Sequence, residues 1–88
     1  MVQKDIKIGL QGGMEARAVA LVVQLAGKYE SAITVVYKGS KVNAKSIMGM
    51  MTFISIMNRA TAANDLIDVI VNGSDEEEAM KSIEAFFA

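Results

Sequence analysis

The sequence predicts an α+β open-faced sandwich in the order β-α-β-β-α-β-α: a four-stranded antiparallel sheet covered on one face by three helices. Three observations carry this expectation. Apolar and polar residues alternate over residues 2–10 and again over 33–37, the period of a half-buried strand. Apolar residues recur three or four positions apart from Ala16, from Ile47 and from Ala79, the period of a helix packed on one face. Glycines at 12–13, 27, 39 and 73 fall between these segments rather than inside them. A single domain spanning residues 1–88 is expected.

In the first strand Ile6, Ile8 and Leu10 face one side, with Asp5, Lys7 and Gly9 on the other. Gly12-Gly13 ends the alternation, because paired glycines admit backbone angles closed to other residues. The first helix begins at Ala16, with Ala18, Leu21, Val22 and Leu25 on its apolar face and Gly27 as its stop. Ile33, Val35 and Tyr37 form the inward side of the second strand. Lys38-Gly39-Ser40-Lys41 is a hairpin turn into a short strand around Val42.

Ser46 is expected to cap a long helix from Ile47 to about Ala63, its hydroxyl accepting a free N–H of the first turn. Met50, Phe53, Ile54 and Met57 are that helix's core positions, and Met48 and Met51 stay partly exposed. Leu66–Val71 is the fourth strand. Ser74 and Glu77 then have the spacing of a capping box, and Asp75 and Glu76 suit a helix N-terminus. The last helix buries Ala79, Met80, Ile83 and Phe87 and leaves Glu78, Lys81 and Glu84 in solvent.

Composition excludes several classes of function. Cysteine and histidine are both absent, which leaves only carboxylates as metal ligands, so no metal centre, disulfide or cofactor is expected. The net charge is −1 and no basic run occurs, so direct nucleic-acid binding lacks an electrostatic footprint. Charged residues in MVQKDIKIGL interrupt any apolar signal core. The apolar stretches Ala18–Ala26 and Ile47–Met57 are shorter than the ~20 residues that span a bilayer. A soluble cytoplasmic protein without membrane contact is expected.

Two segments carry a family resemblance. Gly13-Met14-Glu15-Ala16-Arg17-Ala18-Val19-Ala20 resembles the active-site segment of HPr phosphocarriers, G-[LI]-H-A-R-P-A, with Glu15 in the histidine's place and Ala18 in the proline's. Lys41-Val42-Asn43-Ala44-Lys45-Ser46-Ile47-Met48-Gly49-Met50-Met51 resembles the regulatory segment of HPr proteins from Gram-positive bacteria. Together with the element order, the likeness spans nearly the whole chain. It points to a histidine-lacking variant similar to the catabolite-repression HPr paralogue (Crh), which usually has glutamine at the histidine's place and keeps the proline. Gln24 also stands where many relatives carry lysine. Between Gly49 and Gly73 the chain is longer than usual HPr proteins by about six residues, roughly 9 Å if helical. The surplus falls near Asn58–Asn64, as an extended second helix or an added loop.

The resemblance implies a division of roles. The family's histidine takes phosphate from enzyme I and hands it to sugar permease components, chemistry that needs an imidazole. A carboxylate could only form an acyl phosphate, so neither a phosphocarrier role through Glu15 nor an enzyme is expected. Glu15 is then either a solvated residue at a helix N-terminus or a partial imitation of the phosphorylated histidine, paired with Arg17. Ser46 is the implied phosphorylation site of HPr kinase/phosphorylase, and the modified protein the corepressor of a LacI-type catabolite control protein in carbon catabolite repression. Glu15, Ala16, Arg17, Ala20, Ile47, Met48 and Met51 are the implied partner-binding residues. The alternative is an unmodified module that binds a metabolic enzyme or self-associates, for instance as a homodimer that exchanges its first strand about Gly12-Gly13.

Overall fold

The computed structural model describes all residues from Met1 to Ala88. In chain order the elements are β1 (Val2–Lys7), α1 (Ala16–Ala26), β2 (Ala32–Tyr37), β3 (Ser40–Asn43), α2 (Ile47–Thr52), α3 (Ile54–Ala62), β4 (Leu66–Asn72) and α4 (Glu76–Phe87). The strands form one sheet in the order β1-β4-β2-β3, and every neighbouring pair is antiparallel. Register places Val2, Val71 and Ile33 in one row, and Val69 and Val35 in the next. Ile33, Val35, Tyr37, Ile67, Val69 and Val71 are buried beneath the helices, whereas their alternates Thr34, Val36, Asp68 and Ile70 are only half-buried. That asymmetry is the open face of the sandwich.

The core joins this sheet face to Val19, Val22 and Ala26 of α1, Met50 of α2, Met57 and Ala60 of α3, and Ala79, Met80, Ile83 and Phe87 of α4. Burying each of the valine, isoleucine, methionine and phenylalanine side chains stabilises the fold by about 1.5–3 kcal/mol, and each alanine by less. No helix is long and apolar enough to cross a membrane. The α4 face and the inward sides of β2 and β4 are those read from periodicity.

Four details differ from the expectation. The stretch from Ile47 to Ala63 is two helices rather than one, so four helices cover the sheet. The Thr52 hydroxyl donates to the Met48 carbonyl at 3.1 Å, and the Phe53 N–H is shared between the carbonyls of Gly49 (3.0 Å) and Met50 (3.1 Å). Such competition for the helical ladder bends a helix, and Met50, Phe53 and Met57, on either side of the bend, are all buried in the core. Residues 58–62 are helical, so the surplus segment extends a helix rather than forming a loop.

The first helix is rotated from its predicted face. It buries Val19, Val22 and Ala26, while Leu21 is 51% exposed. β1 ends at Lys7, and the Gly9 N–H instead donates to the Phe87 carbonyl at 2.6 Å, tying the chain to the end of α4. Ser74 and Glu77 form no capping box. Glu76 accepts from the Gly73 N–H at 3.1 Å, and the Ser74 hydroxyl donates to Glu30.

Asp75, at the start of α4, closes this corner. Its carboxylate accepts the Glu30 N–H (2.9 Å), the Ser31 N–H (3.0 Å) and the Ser31 hydroxyl. The Ser31 hydroxyl foremost, then the Glu30 N–H, hold the Asp75 carboxyl below the usual carboxylate value. A depressed folded-state value means that the contribution is complete above the unfolded-chain value and is lost as pH falls through the folded one. Urea midpoints measured from neutral to acid pH should therefore drop in the carboxylate range. Asp75→Asn should lower the neutral-pH midpoint and flatten that acid limb; an acid limb as steep as wild type would show that Asp75 does not contribute.

Candidate functional site

The chain leaves β1 through Gly12 and Gly13, whose φ values of +80° and +74° are favoured by glycine, and this turn delivers the next residues to the head of α1. Met14 is buried, and Glu15 is extended (φ −140°, ψ 174°) as the residue preceding the helix. The Glu15 carbonyl accepts the Val19 N–H at 2.9 Å, while its carboxylate makes no capping hydrogen bond. Glu15, Ala16, Arg17 and Ala20 are all exposed. The molecule's salt bridges are Met1–Glu76, Lys4–Glu84 and Lys38–Asp65, so the expected Glu15–Arg17 pair is not formed. With both side chains in water, such a pair would gain little against the entropy of ordering them.

A residue that sequence reasoning missed holds this segment in place. Asn58 of α3 accepts the Met14 N–H at 2.8 Å and donates to the Met14 carbonyl at 2.9 Å. One amide side chain thus satisfies both polar groups of a buried residue's peptide, leaving neither orphaned. A Cβ on Gly13 would lie 2.6 Å from the Asn58 Oδ1, so the close approach also depends on that glycine. The only sequence signal was an asparagine directly after the core residue Met57 in a helical stretch.

The second segment follows β3. Asn43 accepts the Lys45 N–H on its side chain at 2.9 Å, and its carbonyl accepts the Ser46 N–H at 3.0 Å. Lys45 reaches back to donate to the Tyr29 carbonyl at 2.7 Å. Ser46 is half-buried and caps α2 as predicted, its hydroxyl accepting the Gly49 N–H at 3.1 Å. A side chain at Gly49 would crowd both Val42 (3.0 Å) and Ser46 (3.1 Å), so the glycine keeps this cap close.

Packing of α1 beside α2 brings the two segments onto neighbouring helices. Ile47 and Met51 are about two-fifths exposed and Met48 is 80% exposed, as the crowded apolar pattern predicted for the two methionines. Leu21 adds a further exposed apolar side chain on α1, unforeseen because the helix is apolar nearly all round. The two helices therefore present adaptable thioethers and aliphatic groups beside small alanines, a carboxylate and a guanidinium. Such a surface suits protein recognition better than enclosure of a small substrate.

A family model described as the PTS HPr component phosphorylation site matches residues 2–88. The chain belongs to the HPr family. The HPr-like protein Crh of Halalkalibacterium halodurans is 42% identical over 86 residues, covering 98% of this chain and 95% of the relative. Among solved structures, the phosphocarrier protein HPr from Bacillus anthracis superposes with a TM-score of 0.83 at 37% identity, covering 99% of this chain and 96% of that one. Crh of Bacillus subtilis, described as a dimer with a swapping domain, superposes with a TM-score of 0.70 at 36% identity, covering 99% and 93%. The α+β open-faced sandwich and the HPr-like character follow together.

Proposed function

We propose that this HPr-like chain is a cytoplasmic regulatory protein rather than a phosphocarrier or an enzyme, switched by phosphorylation of Ser46. HPr kinase/phosphorylase is the modifying enzyme, and the seryl phosphoprotein binds a LacI-type catabolite control protein to bring about carbon catabolite repression. One observation carries the reading: Ser46, half-buried at the head of α2, lies directly ahead of the exposed Ile47, Met48 and Met51. A phosphate there would add nearly two negative charges at the rim of an apolar patch, with Arg17 on the neighbouring helix α1, so that a partner could read charge and shape together. The chain has no histidine to carry phosphate from enzyme I, and Glu15, in the histidine's place, contributes one fixed charge to the same surface.

Incubation with HPr kinase and ATP, read by intact mass, should add one phosphate to the wild type and none to Ser46→Ala. The labelled protein should bind the repressor, and Met48→Asp should weaken that binding by about tenfold or more. Labelling by enzyme I and phosphoenolpyruvate would overturn the assignment. A second reading draws on the dimer described for the Bacillus subtilis relative: an unmodified module that exchanges β1 with a second copy about Gly12-Gly13, or binds a metabolic enzyme through the methionine patch. No labelling, together with a dimer in sedimentation equilibrium, would favour it.

A further inference from the structure

An open depression of about 630 Å³, lined mostly by exposed residues, lies between the β2–β3 turn and the bend that separates α2 from α3. Lys38, Ser40, Thr52, Ser55 and Arg59 line it together with Tyr37, so its walls hold two cations, several hydroxyls and no carboxylate. The Lys38 ammonium is 5.6 Å from the centre of the Tyr37 ring and 3.9 Å from the Asp65 carboxylate. Asp65 stands beside the depression and also accepts the Tyr37 hydroxyl at 2.9 Å, the main reason the Tyr37 phenol is pushed up. It therefore anchors one wall while offsetting part of the Lys38 charge. Arg59, in the last turn of α3, also lines it and has no acidic partner. The Thr52 hydroxyl hydrogen is already donated to Met48, which leaves its oxygen as an acceptor, whereas the Ser40 and Ser55 hydroxyls have no partner within the chain.

We propose that this depression binds a small phosphorylated compound, with its phosphoryl oxygens held by the Arg59 fork and the Lys38 ammonium. A guanidinium presents paired donors that match phosphoryl geometry, and a second cation lining the same depression favours a dianion over a monocarboxylate. The serine hydroxyls and the Thr52 oxygen would engage polar groups on the rest of the ligand. The volume lies within the range of small-molecule sites. The chain's net charge of −1 argues against a polyanion that would have to track along the surface.

The test is a titration of the full-length unphosphorylated chain with pyrophosphate at constant ionic strength, followed by amide chemical shifts. Saturable changes are expected at residues 38–40 and 52–59. Arg59→Gln, a substitution at an exposed and unpaired side chain, should raise the Kd about tenfold, and Lys38→Gln should raise it as well. Shifts that stay linear in pyrophosphate, spread over the whole surface, or persist equally in both variants would overturn the proposal. Because the probe and the residues are separate from Ser46, failure here leaves the kinase experiment unaffected.

Discussion

Replacing Asn58 by alanine is expected to destabilise the protein by about 2–4 kcal/mol and to loosen the segment that carries Glu15. The substitution leaves the Met14 N–H and carbonyl without the partners they have at 2.8 and 2.9 Å, while Met14 itself stays 2% exposed and out of reach of full hydration. Leaving a buried donor and acceptor unmade costs more than the net worth of the bonds that satisfied them. Asn58→Asp separates the two halves of the clamp. It keeps an acceptor for the Met14 N–H but sets a carboxylate oxygen against the Met14 carbonyl, and should destabilise at least as much as alanine. Urea unfolding reads the global effect, and hydrogen exchange at the Met14 amide reads the local one. Wild-type stability with unchanged Met14 protection in Asn58→Ala would remove the clamp from the account.

This contact also bears on function. It links the head of α1 to α3, and α3 continues from the helix that Ser46 caps, so the Glu15 segment and the Ser46 segment rest on one continuous support. Labelling of Ser46 by the kinase is expected to survive Asn58→Ala under conditions where the variant is folded, because the Ser46 cap and the α2 backbone do not use Asn58.

Gly73→Ala should be comparably damaging for a steric reason. A Cβ at Gly73 would lie 2.6 Å from both the Cα and the hydroxyl oxygen of Ser31, and 2.9 Å from the Ser31 Cβ. Ser31 is fully buried and its N–H and hydroxyl are both committed to Asp75, so it cannot move aside without breaking that network. Overpacking against backbone in a rigid corner costs about 3 kcal/mol. Gly39→Ala is the matched control. Its Cβ would meet nothing within 4 Å, so only the left-handed backbone (φ +84°) is strained, at about 1–2 kcal/mol. Equal losses in the two variants would show that conformation rather than crowding sets the cost at Gly73.

The inward face of β2 was legible in the residue pattern, because period-two alternation of Ile33, Val35 and Tyr37 leaves a single side for each to face. The buried face of α4 was legible for the same reason, since charges at Glu78 and Lys81 flank one apolar stripe. The two-residue hairpin turn, with Lys38 at φ 47° before Gly39, and the serine cap of α2 were equally legible, because each rests on the chemistry of one or two residues. The sequence by itself also excluded relay of phosphate through an imidazole, a matter of composition alone.

The remaining features depend on long-range packing. Apolar residues surround α1, so periodicity could not say that Val19 and Ala26 go in while Leu21 stays out; the neighbouring α2 and α4 choose that face. The bend at Phe53 arises from a side-chain hydrogen bond competing with the helical ladder, at a position where a straight helix was equally compatible with the pattern. The Asn58 clamp and the Asp75–Ser31 corner join residues 44 positions apart, and the depression lined by Lys38 and Arg59 forms only when a hairpin meets a helix. Contacts of that kind are made by long-range packing, which a linear pattern of residue types does not encode.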